Sequence, residues 1–414
     1  MLEVDKIDNN ALFKLLRAES LELLEWHVLK EQISTFSSTS IGRKSITDFE
    51  VPQTIDESLE LLRETIEIYN LEFQANIQIS FNGFHDIKDK IDVCFKGGVI
   101  NSNDLLEISQ TLSCSRLLKK IIFNRELRPN LSLLLERLVD HKNLEKLLNN
   151  CIESNGKVSD KASEKLSELR GQLNILRNQR KLILDKFIQT NANYIQDSII
   201  GDRFGRPVLA IKINYIDKFK GIIHDSSSSG NTVFFEPDTV VAKGNKIASL
   251  KAKILKEEFR LLKKLSKDVA DNRESLMTKF DVLLRLENAL TRSRYSNFIQ
   301  GHPPQLERHI NINIEGFVHP FLIWESKHKG GKEPIPIDFY INRDTKVIAI
   351  TGPNTGGKTA ALKGLGIATL MSRSGLYVPS SSTPKISFFP NIFVDIGDEQ
   401  SLEGELSTFS GHIY

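Results

Sequence analysis

The sequence predicts a chain of two architectures, a long α-helical region followed by an α/β segment. Before residue 300, long runs repeat apolar residues at spacings of three and four, which is the period of amphipathic helices. Near residue 350, a short run rich in β-branched residues is followed by a glycine-rich loop and then by a helical run. Strand, loop and helix in this order are typical of an α/β unit. With 414 residues, 40% of them hydrophobic, the chain has room for about two to three domains.

Composition and charge argue against several classes of protein. The net charge of +2 shows that the chain as a whole is not a polycation. The cysteines, Cys94, Cys114 and Cys151, are odd in number and lack C-x-x-C spacing, so neither a disulfide framework nor a zinc site is expected. The histidines form no H-E-x-x-H pattern. No signal-like segment and no long apolar run is present, so we expect a cytoplasmic protein with no membrane partner.

The helical region is predicted to contain two domains. Residues 1–150 predict an N-terminal region of mostly short helices. Residues 151–300 predict two long helices with a small β insertion near 200–240. The apolar positions that predict the long helices recur at helical spacing and are Leu166, Leu169, Leu173, Leu176, Ile183 and Phe187 in the first, and Leu262, Leu265, Val269, Leu276, Phe280 and Leu283 in the second.

The β insertion is predicted from two apolar runs, RPVLAIKINY and NTVFFEP. The segment GIIHDSSSSG between them predicts a polar loop rich in serine and glycine. Phe234, in the second run, is expected to be a core residue. Residues 301–350 predict loops and strands that open the third domain, 301–414.

The segment GPNTGGKT fits the pattern G-x-x-x-x-G-K-[ST] of a phosphate-binding loop. Residues 345–351 predict a short buried strand before it. The run that starts at Lys358 predicts a helix, with Gly375 at its C′ position. This context favours a nucleotide site over a glycine-rich turn that carries a lysine by chance. The candidate binding residues are Gly352, Pro353, Asn354, Thr355, Gly356, Gly357, Lys358 and Thr359.

Each residue type in this loop suits the binding of phosphate for a chemical reason. Glycine lets the backbone turn sharply at Gly352 and approach phosphates at Gly356 and Gly357 without a Cβ clash. Successive N–H groups at the start of a helix bind phosphate oxygens. Lys358 is expected to reach the β- and γ-phosphates, and the Thr359 hydroxyl is expected to ligate Mg²⁺.

A basic stretch lies on the second long helix. Residues 243–267 carry nine lysines and arginines against two acids, Glu257 and Glu258. Such a stretch is either a solvated helix face, as charge runs usually are, or a contact to nucleic-acid phosphates. The candidate contacts to nucleic acid are Lys251, Lys253, Lys256, Arg260, Lys263 and Lys264.

Three separated motifs resemble the MutS family of DNA mismatch repair. The run ITGPNTGGKTAALKGLGIATLMSRSG, followed by DIGDEQSLEGELSTFS, is similar to the ATPase domain of that family. Upstream, GIIHDSSSSGNTVFFEP resembles the H-D-x-S-x-S-G-x-T-x-F-x-E-P segment of the second bacterial branch, MutS-two. His319-Pro320, FNGFHDIKDKI and GKVSDKASEKLSELRGQL also match that branch, so the resemblance covers nearly the whole chain.

The resemblance implies a fold and a function. The fold is a long-helix core and lever region followed by the N-terminal part of an ABC-like P-loop ATPase domain. The function is an ATP- and Mg²⁺-dependent protein that binds branched or structured DNA as a homodimer and restrains recombination. Ser407, Thr408 and Ser410 match the signature segment, which contacts the nucleotide of the other subunit. From the residues alone, that segment also fits a helix N-cap.

Two departures from the family are visible. Phe234-Phe235-Glu236 spells the F-x-E of mismatch recognition but lies mid-chain, so specific mismatch reading is not expected. After the signature, the sequence up to Tyr414 contains no apolar strand ending in Asp-Glu, so no catalytic residue of Walker B type is assigned. We expect weak or no ATP hydrolysis by this chain alone. The alternatives are a ribosome-associated factor that senses or splits stalled ribosomes and a non-catalytic truncated fragment.

Overall fold

The computed structural model describes residues 9–228, 230–330, 333–352 and 357–395. The chain forms two compact units, each assembled from separate stretches of sequence. Unit 1 comprises Met1–Asp86, Gln110–Asp140 and Glu274–Tyr414, and unit 2 comprises Ile87–Ser109 and His141–Arg273. Each of the first two domains predicted from the sequence, 1–150 and 151–300, contributes residues to both compact units. The division into three consecutive domains stays a prediction.

The α-helices are distributed along the whole described part of the chain. They are α1 Asn9–Leu23, α2 Trp26–Ser34, α3 Ser40–Thr47, α4 Ile55–Tyr69, α5 Lys88–Phe95, α6 Ser102–Ile122, α7 Pro129–Glu136, α8 Lys142–Cys151, α9 Glu164–Thr190, α10 Asp238–Ala270, α11 Arg273–Phe298, α12 Pro320–Lys329 and α13 Lys358–Arg373. A short π-helix, Asn70–Gln74, continues α4.

The strands form two sheets. They are β1 Ile195–Arg203, β2 Arg206–Lys212, β3 Gly221–Ser226, β4 Thr232–Pro237, β5 Gln305–Glu307, β6 Ile312–Phe317, β7 Ile337–Ile341 and β8 Lys385–Ser387. The sheet of unit 2 is antiparallel with the order β1-β2-β4-β3. The sheet of unit 1 has the order β5-β8-β6-β7, and its β5–β8 pair is parallel.

In unit 2, the long helices α9 and α10 pack side by side and the small sheet follows α9 directly. Leu166, Leu169 and Leu173 of α9 are buried, as their spacing predicts. Lys243 of α10 donates to Gln179 of α9, and Arg170 of α9 pairs with Glu258 of α10 at 2.7 Å. These contacts run in opposite directions along the two helices, so α9 and α10 are antiparallel. A separate apolar core lies under the sheet, and its buried members are Leu184, Leu209, Ile211, Val233, Phe235 and Val240.

In unit 1, α13 packs into the core with α2, α11 and the second sheet. Ile367, Leu370 and Met371 of α13 are fully buried in this core. The helix ends as the sequence predicts. Gly375 has a positive φ of 72°, and the amide of Leu376 donates to the carbonyl of Met371, which is the hydrogen bond of a Schellman motif.

The second long helical stretch is helical, as predicted, and consists of two helices that break at Asp271–Asn272. Three other local predictions were wrong. The polar loop expected at GIIHDSSSSG begins with strand β3. A helix, α12, lies in the region expected to hold only loops and strands, because Pro320 at its first position is preorganised for a helix start. Phe234 is half-buried, and Phe235 on the opposite face of β4 is the core residue. Side chains alternate across a strand, so one residue decides which face is buried.

We predict that Gly375→Ala destabilises unit 1 more than Gly330→Ala does. Both glycines follow a helix and have a positive φ, which costs alanine about 1 kcal/mol. At Gly375 a Cβ would also lie 2.7 Å from the Leu61 Cβ, whereas at Gly330 nothing lies within 4 Å. Crowding should add about 1–3 kcal/mol at Gly375. Urea unfolding of both variants measures the difference, and equal losses would contradict the packing of α13 against α4.

Candidate functional site

The start of α13 is built as a phosphate-binding loop requires. Gly357 is the N-cap residue with a φ of 81°, a conformation that favours glycine. The Lys358 ammonium donates to the carbonyl oxygen of Gly352, so the two ends of the loop lie together. Pro353, Asn354, Thr355 and Gly356, which connect these ends, lie outside the described residues.

The first amides of α13 are available to an anion. The amide of Ala361 makes the first helical hydrogen bond, to the carbonyl of Gly357 at 2.9 Å. The amides of Lys358, Thr359 and Ala360 precede it and have no carbonyl four residues back within the helix. These amides and the positive end of the helix dipole favour a phosphate group. Thr359 is exposed, so its hydroxyl can reach a metal ion bound to that phosphate.

The strand expected before the loop is not formed, and this prediction was wrong. Residues 345–351 form no strand and pair with no strand in the described part of the chain. Val347 is 84% exposed and Ile348 is 51% exposed. A buried strand of a parallel sheet needs a hydrogen-bonded neighbour on each side, because its backbone N–H and C=O groups must be paired. The run is apolar, as predicted, but no described segment pairs with its backbone.

A cavity of about 640 Å³ lies beside this run and one face of α13. Its lining is mostly apolar and includes Leu24, Ile312, Ile341, Ile348, Leu362, Leu365, Phe389, Ile392, Phe393 and Val394. Gly352, Gly357 and Lys358 do not line it. The cavity is therefore an apolar groove separate from the phosphate loop, and it does not fit a polyphosphate.

Polar contacts hold α13 in place behind the loop. Lys363 forms an ion pair with Glu25 at 2.8 Å. Gly364 lets α13 approach closely, because a Cβ there would lie 2.7 Å from the Phe317 ring. His319 accepts a hydrogen bond from the Phe321 amide and caps α12 beside this contact. Burial lowers the pKa of His319 to about 4.

At the far end of α13, burial lowers the pKa of Arg373 to about 10.

All six predicted nucleic-acid contacts lie on α10 and are exposed. At about 100° per residue, five of them fall within an arc of about 100°, and Lys251 lies on another side of the helix. Lys246 and Lys267 fall in the same arc. We call this surface the α10 basic stripe, which consists of Lys246, Lys253, Lys256, Arg260, Lys263, Lys264 and Lys267.

The α10 basic stripe is largely free of acidic partners. Arg260 pairs with Glu257 at 2.6 Å, and this bond holds the pKa of Glu257 at about 2. The six lysines of the stripe form no ion pair within the described residues. Unpaired cations on one face attract a polyanion more strongly than the same number of charges neutralised by neighbouring acids.

The motif of the β insertion builds a buried ionic cluster, which sequence reasoning missed. Glu236 is completely buried and accepts hydrogen bonds from Arg206 at 3.3 Å and from His224 at 2.8 Å. A Cβ on Gly244 of α10 would lie 2.6 Å from the Arg206 guanidinium. The signal was the spacing of His224 and Glu236 in the H-D…F-x-E-P pattern. These residues join the sheet to α10.

Ser407, Thr408 and Ser410 of the predicted signature lie outside the described residues. Within the described residues, no group of three or more histidine, cysteine, aspartate or glutamate side chains could hold a metal ion. No helix in the described part of the chain is both long and apolar enough to cross a membrane.

Comparison with known proteins agrees with the motifs. Residues 348–413 match the model of MutS domain V. The chain is 38% identical to the endonuclease MutS2 of Synechocystis over 95% of its own length and 48% of that protein. It is 35% identical to the endonuclease MutS2 of Symbiobacterium thermophilum over 95% of the chain and 49% of that protein.

The chain belongs to the MutS family and is of the MutS2 type. It spans about half the length of the curated MutS2 relatives that it matches. The MutS domain V match begins within the apolar run before the loop and includes Lys358 and Thr359. The structure thus mixes helices and sheets, and residues 348–413 of it match MutS domain V.

We predict that acid destabilises the packing around His319. The pKa of His319 is about 4 in the folded protein and about 6.5 in the unfolded chain. Between these values the unfolded chain binds more protons, so the contribution is complete above pH 6.5 and is lost as the pH falls toward 4. The loss between pH 7 and pH 4.5 should be about 2 kcal/mol.

His319→Asn keeps a side-chain acceptor at the helix cap and should remove this part of the pH dependence. His328→Asn, on the exposed side of the same helix, is the matched control and should behave as the wild type. Thermal unfolding between pH 4.5 and pH 7 measures the effect. Identical pH profiles for the wild type and His319→Asn would contradict it.

Proposed function

We propose that this chain binds ATP with Mg²⁺ through the loop Gly352–Thr359 and binds nucleic acid through the α10 basic stripe. The observation that carries the nucleotide part is the start of α13, where Gly357 caps the helix and Lys358 reaches back to Gly352. The match to MutS domain V supports it. We propose ATP rather than GTP as the nucleotide because the segment resembles the ATPase domain of the MutS family.

Each part of the loop makes a different contact to the nucleotide. The amides at the start of α13 donate to the phosphate oxygens, and Lys358 exchanges its contact with Gly352 for the β- and γ-phosphates. Thr359 is the protein ligand to Mg²⁺, which neutralises phosphate charge when bound. Pro353, Asn354, Thr355 and Gly356 complete the loop. Ser407, Thr408 and Ser410 contact the nucleotide of a second copy in a homodimer, as the resemblance implies.

The α10 basic stripe supports the nucleic-acid part of the proposal. Its cations are exposed and lie on one face of a 33-residue helix, and its six lysines form no ion pair in the part of the chain that the structure describes. Phosphates of branched or structured DNA are the ligand, since cationic side chains contact backbone without reading sequence. The long helices α9 and α10 correspond to the core and lever region that the resemblance implies. The protein acts in the cytoplasm to restrain recombination.

We predict that Lys358→Ala weakens binding of MgATP at least tenfold. The variant loses charge-assisted hydrogen bonds to the phosphates, and each is worth about 1.5–3 kcal/mol. Lys346→Ala is the matched control, because Lys346 is exposed and precedes the loop. Isothermal titration calorimetry with a slowly hydrolysed ATP analogue measures both. Equal affinities for wild type and Lys358→Ala would contradict the assignment of the loop.

We predict that replacing Lys256 and Lys263 together with glutamine lowers the salt dependence of DNA binding. Each phosphate contact releases about 0.9 counterion, so the slope of log K against log salt should fall by about 2. Lys96 and Lys157, exposed in the same unit and off the stripe, form the matched control pair.

Fluorescence anisotropy with a four-way DNA junction at several salt concentrations measures the slope. An unchanged slope would exclude the α10 basic stripe from the interface. A competition between the junction and purified ribosomes distinguishes the proposed ligand, DNA, from the alternative ligand, the ribosome. Co-sedimentation with ribosomes that excess junction DNA does not reduce would favour the ribosome-associated function.

A further inference from the structure

The hairpin that joins β1 to β2 ends in an aromatic side chain that the proposed function leaves unused. Phe204 and Gly205 are its two turn residues, since Arg203 pairs with Arg206 across the strands. Both turn residues have a positive φ, 53° for Phe204 and 76° for Gly205. The Phe204 side chain is 92% exposed.

Neither folding nor burial favours phenylalanine at this position. Two-residue hairpin turns with a positive φ at both positions prefer asparagine, aspartate or glycine. A bulky residue in the left-handed region is an outlier that costs free energy. An exposed ring recovers none of this cost from the hydrophobic effect. Such strained residues cluster at functional positions, so a ligand for the ring is the physical explanation.

The turn holds Phe204 on a fixed base. Asp202 accepts a hydrogen bond from the Gly205 amide at 3.0 Å. The Arg203 guanidinium lies 4.0 Å from the centre of the Phe234 ring. Arg206 contacts the buried Glu236. The residues on both sides of Phe204 are therefore anchored to the sheet, and the ring alone projects into solvent.

The turn lies beside the end of α10 where the α10 basic stripe begins. Arg206 donates to Asn245 of α10, the residue before Lys246. The turn that carries the exposed ring is thus joined to α10 at the residue before the first lysine of the stripe, and the lysines of the stripe form no ion pair in the described part of the chain. Cations that track a phosphate backbone, combined with an aromatic that stacks on a base, are the two elements of sequence-tolerant recognition of unpaired nucleic acid.

We infer that Phe204 stacks on an unpaired base of a nucleic acid whose backbone lies along the α10 basic stripe. This inference rests on the proposed nucleic-acid function and names its substrate class. A continuous duplex hides the faces of its bases, so the ligand has a bulge, a gap, a loop or an open junction. The positive charge beside the ring favours this ligand over an apolar pocket on a protein.

The test uses the full chain and a DNA bulge that carries 2-aminopurine as its unpaired base. Stacking on Phe204 changes the fluorescence of 2-aminopurine on binding. Phe204→Ala should abolish that change and weaken binding of the bulge about tenfold, with unchanged affinity for the matched duplex. Phe204→Trp should preserve both signals. Ile199→Ala, at an apolar residue of β1 that is 70% exposed, is the control and should bind as wild type.

Phe204→Asn separates folding from binding. Asparagine suits the turn, so this variant should melt at the same or a higher temperature than wild type and still lose the bulge preference. Wild-type behaviour of both Phe204→Ala and Phe204→Asn toward the bulge would overturn the inference. If glutamine at Lys256 and Lys263 still weakens binding in the same assay, the proposed nucleic-acid function stands although the stacking of Phe204 does not.

Two further outcomes are decisive. Wild-type protein that binds neither bulge nor duplex would overturn the inference and the nucleic-acid part of the proposed function together. Unchanged DNA binding by Phe204→Ala, accompanied by a loss of self-association in sedimentation velocity, would assign the ring to a protein contact and overturn stacking on a base.

Discussion

Carboxylates buried away from water must be paired with a cation or hydrogen-bonded, and this constraint organises both units. In unit 1, Glu64 of α4 pairs with Arg285 at 2.6 Å and with Arg292 at 3.5 Å, both from α11. In unit 2, Glu236 holds Arg206 and His224. Removing one partner of such a cluster leaves an uncompensated buried charge, which is strongly destabilising. The first cluster fixes α4, against which Gly375 and hence α13 pack. The second fixes the base of the Phe204 turn at the start of α10.

Local signals let the sequence predict the helices and the start and end of α13. Amphipathic spacing located α9, and the glycines at 357 and 375 marked the boundaries of α13 because positive φ values were needed there. Structure that depends on distant partners was not predictable. The apolar run 345–351 met the local criteria for a strand, but a strand forms only beside a hydrogen-bonded neighbour. The discontinuous units follow from packing between segments far apart in sequence.

The candidate sites show the same division. The lysine and glycines of the phosphate loop follow from a pattern whose chemistry is local, and the structure brings Gly352 and Lys358 together as that chemistry needs. The basic helix was visible as composition, but only the helix geometry separated Lys251 from the α10 basic stripe. The roles of Glu236 and Phe204 could not be read from residue types. The first depends on complete burial, and the second on the contrast between a strained backbone and an exposed ring.

Hydrogen exchange at the amides of residues 358–360, with and without saturating MgATP, tests most directly whether the start of α13 holds phosphate. In the wild type these amides would donate to phosphate oxygens, so their exchange should slow at least about tenfold, which corresponds to about 1.4 kcal/mol of protection. The same amides in a Lys358→Ala chain should show less protection at the same nucleotide concentration. Exchange that saturating MgATP leaves unchanged in the wild type would contradict the nucleotide site.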